Sequence, residues 1–232
     1  MQRPQLVNDE IYHVVIRGTG KEVVFKDDAD YYRAIFSLYE FNTTEAIEIR
    51  KQREKRRIVK EGKKLFVDER VPLVEIFAFC FMPNHIHLLL KQLRENGISK
   101  FMKKVDIGYA NYFNKKYERK GHFFQGRFRA VHIKTTEQLQ NVFVYIHTNS
   151  ISFLEPKWKE KGIRRPREII EFLESYKWSS YPDYLGKKNF PSVTKRDFLL
   201  KIMGGEKGCR QFVNDWIRYK HEISELKDVI LE

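Results

Sequence analysis

The sequence predicts an α+β domain: an antiparallel sheet with helices packed against it, followed by a helical tail. Three patterns carry that prediction. Strand-like runs of β-branched and aromatic residues lie at residues 11–17, 71–81, 85–91 and 122–134. Stretches with a helical apolar period stand between them, and a Pro-Asn turn at Pro83-Asn84 joins two of the strands directly. The pieces read in order as β-α-β-β-α-β-α, a pattern of mixed elements joined by short connections.

Residues 11–17 (IYHVVIR) alternate in polarity and stop at Gly18-Thr19-Gly20, so they read as a strand closed by a turn. Asp27 and Asp28 can cap a helix whose Tyr31, Tyr32, Ile35, Phe36, Leu38 and Tyr39 recur at helical spacing up to Asn42-Thr43-Thr44. Residues 49–64 hold nine basic and two acidic side chains and too few apolar ones to cover a face. They read as an exposed insertion, either a solvated loop or helix or an arm that tracks phosphates. Because Pro83 cannot donate to a strand ladder, it belongs to the turn, and the second strand of the hairpin opens at about His85. Ile98, Phe101, Met102, Val105, Tyr109, Tyr112 and Phe113 form the apolar stripe of a long amphipathic helix over residues 97–119. Residues 122–134 read as loop plus strand. Thr135 or Thr136 then caps a helix with Leu139, Val142, Phe143 and Ile146 on its inner side. The expected organisation is a catalytic domain over 1–150 and a mostly helical extension over 151–232 packed on it.

A length of 232 residues fits one domain with additions. No apolar run approaches the roughly 20 residues that a membrane helix needs. The first residues lack a secretory pattern, so the cytoplasm is the expected location and no membrane partner is expected. Cys80 and Cys209 make neither a disulfide framework nor a C-x-x-C site. The 44 Lys and Arg against 31 Asp and Glu give a net charge of +13, which favours a polyanion such as nucleic acid.

Two local pairs could do chemistry. His85 and His87 stand two apart on a strand and project from one face, close enough to share a divalent ion, although structural histidines take the same spacing. Tyr145 and Asn149 stand four apart on a helix, one turn from each other. A tyrosine oxygen can attack phosphorus when a cation balances the growing charge, and an amide oxygen is a ligand that Mg²⁺ or Mn²⁺ accepts. An ordinary core tyrosine fits that position equally well. The sequence contains no P-loop, dinucleotide fingerprint, H-E-x-x-H or G-x-S-x-G.

Four blocks in fixed order extend these pairs: MPNHIHLL at residues 82–89, GHFFQGRFR at 121–129, VYIHTN at 144–149 and WSSY at 178–181. Together they resemble the REP-associated tyrosine transposases, within the single-tyrosine HUH transposases. The resemblance implies a ferredoxin-like sheet flanked by helices, His85, His87 and Asn149 as ligands of Mg²⁺ or Mn²⁺, and Tyr145 as the nucleophile. It implies cleavage and transfer of single-stranded or hairpin DNA through a 5′-phosphotyrosine, by a monomer or homodimer without a nucleotide cofactor. Arg17, Gln125, Arg127 and Arg129 are the candidate DNA contacts, with Phe124 and Phe128 able to stack on unpaired bases. Asn149-Ser150 replaces the family's usual Asn-Pro, so the helix can end differently here. A hairpin-binding protein without chemistry, and a nuclease using water, are the alternatives. Tyr109, Tyr112 and Tyr117 are rival nucleophiles, and His13, His122, His132 and His147 are expected to be structural.

Overall fold

The computed structural model describes residues 4–62 and 68–230, so the last two residues of the basic insertion lie outside it. The elements are β1 (Ile11–Arg17), α1 (Asp28–Glu40), α2 (Ile49–Lys60), β2 (Val74–Met82), β3 (His85–Gln92), α3 (Gly97–Lys116), β4 (Arg129–Ile133) and α4 (Thr136–Thr148), then α5 (Trp158–Lys161), α6 (Pro166–Ser175), α7 (Tyr181–Tyr184), α8 (Asp197–Met203) and α9 (Gly205–Ile230). Helix starts follow local chemistry. The Asp27 carboxylate accepts from the Asp30 N–H at 3.1 Å and the Thr135 hydroxyl from the Gln138 N–H at 3.2 Å, each satisfying an orphan donor of a first turn. The basic insertion forms α2, a helix rather than a loop.

The four strands pair antiparallel in the order β2-β3-β1-β4. With α1 and α3 as the two crossovers, this is the ferredoxin-like β-α-β-β-α-β arrangement, with α2 inserted before β2. Strand alternation separates two faces. Tyr12, Val14 and Ile16 of β1 stand opposite Leu90, Leu88 and Ile86 of β3, and all six are buried. Phe25 ties Tyr109 of α3 to this face by ring contacts, lying 5.7 Å from Tyr109 and 5.1 Å from Phe81 of β2, and Tyr31 brings α1 to the same ring cluster. The other face carries His13, Val15 and Arg17 opposite Leu89, His87 and His85. Helix α4 lies over its β2–β3 half. The β1–β4 half is open, with Arg129 exposed and Val131 55% exposed.

The outer edge of β2 does not meet solvent. The 178–181 segment runs along it: Phe81 N–H donates to the Trp178 carbonyl at 2.9 Å, Ser180 N–H to the Phe79 carbonyl at 3.0 Å, and Phe79 N–H to the Ser180 hydroxyl at 3.0 Å. Tyr176 and Tyr184 close the edge by donating to the Phe81 and Phe77 carbonyls, both at 2.6 Å. Phe77 sits at the register shift between Ile76 and Ala78, where a bulge frees ladder groups. Each backbone group so buried would otherwise cost about 1–3 kcal/mol. This edge pairing fastens the helical extension to the sheet, a role that covers an aggregation-prone edge.

Candidate active site on the second face of the sheet

His85 opens β3 directly after the turn, and strand alternation returns His87 to the same face. Their rings lie 4.8 Å apart. From α4 above, Tyr145 presents its ring edge-on to His87, at 5.6 Å and 85° between planes. Tyr145 is 37% exposed, so the helix places a reachable phenol over the buried His87 and the half-buried His85. One turn further, the Asn149 amide N–H donates to the Tyr145 carbonyl at 2.6 Å, and among the described residues its Oδ1 carries no hydrogen bond. Ser150 in place of proline changes the geometry only modestly: α4 stops at Thr148 and tightens into a 3-10 turn over Asn149–Phe153, with Asn149 still helical at φ −58° and ψ −32°.

His87 is buried, and its Nε2 has no hydrogen-bond partner among the described residues, whereas its Nδ1 lies 2.9 Å from His13 Nε2. As the Nδ1–H tautomer, His87 donates to His13 and keeps a bare Nε2 lone pair, the state of a metal-ligating histidine steered by a neighbour. His85 Nδ1 is similarly engaged by Asn84 Oδ1 at 2.6 Å. Burial pushes His85 down to about 4, helped by the charges of Arg17 and Lys159. Burial first, then the neighbouring His13 and His85, takes His87 to about 2, and burial alone takes His13 to about 4. The imidazoles are neutral at physiological pH, as ligands must be. Among the described residues no three His, Cys, Asp or Glu side chains are arranged to hold a metal ion, so an ion here would rest on two imidazoles and a neutral oxygen. The bare Nε2 and the unbonded Asn149 Oδ1 fit that donor set.

The same shifts set an acid limit. An unfolded histidine titrates near about 6.5, while folded His13, His85 and His87, and His147, which burial holds at about 3, resist protonation to lower pH. Between those values the unfolded chain binds more protons, so stability present at neutral pH is lost as pH falls from about 6.5 toward about 4. The thermal midpoint is therefore expected to drop between about pH 7 and about pH 5, and an unchanged midpoint would contradict neutral buried imidazoles.

Two contributors escape sequence reasoning. His13, expected to be structural, stacks on His87 at 5.1 Å and meets the Tyr145 ring edge at 5.7 Å. Its signal was parity: it shares the strand face of Arg17. Lys159, from a connection without periodicity, holds its Nζ 5.6 Å from the Tyr145 ring centre, anchored by the buried Trp158 packed against Trp216. Of the expected DNA contacts, Arg17 ends β1 opposite His85, Arg129 pairs with Val15, and Gln125 N–H donates to the Arg17 carbonyl at 2.7 Å. These and Arg127 are exposed. Phe124 and Phe128 are a correction: both are buried, Phe124 against Phe123 and Tyr109, so their rings serve the core instead of bases. His147 is structural, buried with Nε2 2.9 Å from the Ser180 hydroxyl. The rival tyrosines sit elsewhere: Tyr109 is buried and donates to the Val24 carbonyl, while Tyr112 and Tyr117 bond to Asp30.

Residues 69–149 match the family of IS200-like transposases, a span that includes His85, His87, Tyr145 and Asn149. No curated protein matches the chain. Among solved structures, the chain is similar to a REP-associated tyrosine transposase bound to a REP hairpin, at 11% identity over 85% of this chain and 92% of that one, with a TM-score of 0.51. It is also similar to a candidate transposase of Deinococcus radiodurans R1 (15% identity, 61% of this chain and 93% of that one, TM-score 0.35) and to the tRNA(His) guanylyltransferase of Saccharomyces cerevisiae (10% identity, 92% and 80%, TM-score 0.37). At such identities the likeness is one of fold, and only the first is close enough to carry weight. Among the described residues no helix is long and apolar enough to cross a membrane. Residues 69–149 thus match the IS200-like transposase family, and the chain shares its fold with a REP-associated tyrosine transposase.

Proposed function

We propose that the protein cleaves single-stranded DNA at hairpin-forming repeats and transfers the strand through a 5′-phosphotyrosine on Tyr145, with Mg²⁺ or Mn²⁺ held by His85, His87 and Asn149. The observation that carries this reading is the edge-on approach of a half-open tyrosine ring to a buried imidazole whose Nε2 has no partner. The ion, when bound, withdraws charge from the scissile phosphate. Tyr145 Oη forms the new bond to phosphorus, the bond from phosphorus to the 3′ oxygen breaks, and that oxygen leaves as a hydroxyl after taking a proton. Attack by another 3′-hydroxyl reverses the exchange. One phosphodiester replaces another, so the cycle needs no nucleotide cofactor. A reaction on DNA is compatible with the cytoplasmic location that the sequence leads one to expect.

Arg17, Arg129, Gln125 and Arg127 line the uncovered β1–β4 half of the face and its adjoining loop, the path along which a strand would reach Tyr145. Their charges neutralise phosphates, and the exposed Val131, paired with His13 beyond Arg129, gives a base an apolar surface. We assign catalysis to residues 1–150 and support to 151–232, with one exception: Lys159 of the extension sits beside Tyr145 and offers its ammonium to the phosphate oxygens. Lys159→Ala is expected to slow adduct formation about 10- to 100-fold, with Lys159→Arg recovering most of it; equal single-turnover rates for wild type and Lys159→Ala would remove Lys159 from the site. The whole proposal is tested by incubating the protein with a hairpin oligonucleotide and Mn²⁺, then denaturing. A covalent protein–DNA adduct is expected; tight binding without any adduct would leave a DNA-binding protein instead.

A further inference from the structure

Behind the sheet, on the face away from Tyr145, α2, α3 and the loop before α2 enclose a groove of about 810 Å³. Its floor is apolar, formed by Phe41, Ile47, Ile49 and Ile107. Its walls carry Arg33, Arg53, Lys100, Lys103, Lys104 and Lys115, and among the described residues no carboxylate lines it. Lys100, Lys103, Ile107, Asn111 and Lys115 follow one another every three or four residues and are exposed, so they form a single stripe along roughly 22 Å of α3. Ile107, 50% exposed, lies in the middle of it.

These charges are not spent on internal ion pairs. Among the described residues Arg53, Lys100, Lys103 and Lys115 have no acidic partner, whereas Lys116, one position round the helix, is bound to both Asp27 and Asp30. Like charges three residues apart on a helix repel. Arg33 repeats the imbalance. Arg33 is 9% exposed and stacked among Phe36, Phe41 and Tyr112, with Nη2 donating to the Gly108 carbonyl at 3.1 Å, yet Nε and Nη1 bond to nothing described. Burial, with the Arg53 charge adding to it, pulls Arg33 below the ordinary guanidinium value. The positive field inside the groove is therefore uncompensated, and an anion would relieve it. Lys104 fastens the near wall by donating to the Thr43 and Glu45 carbonyls at 2.6 and 2.5 Å.

We propose that this groove is a second DNA-binding site that holds an unpaired strand, phosphates on the lysine stripe and bases against the Ile47, Ile49 and Ile107 floor. A duplex meeting a convex helix offers phosphates alone and has no use for an apolar floor, whereas unpaired bases gain by covering one. Because α3 and Tyr145 lie on opposite faces of the sheet, the strand held here is a different stretch from the one being cut.

The test uses the full chain carrying Tyr145→Phe, so that chemistry does not intervene, and compares it with the same chain also bearing Lys100→Glu, Lys103→Glu and Lys115→Glu. Affinities for a long oligothymidylate and for a blunt hairpin without tails are read by fluorescence anisotropy across a salt series. The expected result is oligothymidylate binding weakened roughly tenfold or more, with the salt slope reduced by about 2, since each phosphate contact on a single strand contributes about 0.7. Hairpin binding stays unchanged. Neutral Lys→Gln replacements at the same three positions, with an unaltered thermal midpoint, should give a smaller loss in the same direction. Unchanged oligothymidylate binding overturns the proposal and leaves the face to an acidic protein segment. Weakening confined to the hairpin overturns it in favour of duplex contact. Adduct formation by the triple-lysine variant with Tyr145 intact, on an oligonucleotide spanning only the cleavage point, reports on the catalytic reading separately.

Discussion

Tyr145→Phe is expected to abolish covalent capture of a hairpin oligonucleotide, lowering adduct formation by at least about four orders of magnitude, while DNA affinity stays within about twofold. The change deletes one oxygen. Its ring packs edge-on against His87 and His13, contacts that phenylalanine keeps, so neither α4 nor the histidines should move. The hydroxyl satisfies no partner among the described residues, so its removal strands nothing inside the protein. Gel mobility after denaturation separates the outcomes. An adduct that survives Tyr145→Phe would transfer the nucleophile to another residue, but Tyr109, Tyr112 and Tyr117 are poor substitutes because each hydroxyl already donates to a carbonyl or carboxylate on the opposite side of the sheet. Strand cleavage that persists without any adduct would point to water as the nucleophile.

Much of this centre was legible as local pattern. The alternation in residues 11–17, the turn at Pro83-Asn84 and the Thr135 cap each reflect an interaction within a few residues, and the structure keeps all three. The spacing of His85 and His87 fixes their common face whatever the sheet packs against. What stayed hidden depends on contacts distant in sequence. His13 reaches His87 across 74 positions, and only the β1–β3 register decides whether a strand histidine meets another one. Lys159 belongs to a four-residue helix with no periodic signal, and its place is set by Trp158 packing on Trp216 of α9. Phe124 and Phe128 misled for the opposite reason: aromatics interleaved with arginine read equally well as a base-stacking platform or as a strand end feeding the core. The isolated bridge between Gly18 and Phe124, with the Thr19 N–H donating to the Phe123 carbonyl at 3.0 Å, draws that loop against β1 and buries the rings, leaving the arginines outside. The WSSY block, met in the sequence only as part of the resemblance, is chiefly a backbone device. Its main chain, with the Ser180 hydroxyl, closes the β2 edge, and a hydrogen-bonding role of that kind leaves little periodic trace in side-chain polarity.

The other large effect falls on the imidazole beneath Tyr145. His87→Ala is expected to remove metal-dependent adduct formation by about two to four orders of magnitude, because it deletes the one site nitrogen that is buried and without a partner. Loss of fold is the competing explanation, and His87→Gln separates them. A glutamine amide can still donate to His13 Nε2 and fill the space, but its oxygen is not held by a rigid ring at the position of the imidazole Nε2, so activity should stay well below wild type while the thermal midpoint stays near wild type. His13→Ala tests the layer behind. It leaves His87 Nδ1 without its partner at 2.9 Å, so the ring can turn and change tautomer, and the Mn²⁺ concentration giving half-maximal adduct should rise about 10- to 100-fold with the limiting rate less affected. The two variants thus predict different signatures in one metal titration: His87→Ala lowers the plateau, and His13→Ala shifts the midpoint. Wild-type protein that forms adduct at full rate in excess chelator, or a His87→Ala variant indistinguishable from it, would show that the histidines serve the sheet alone, with the lone pair of His87 Nε2 a packing accident under a tyrosine that works without an ion.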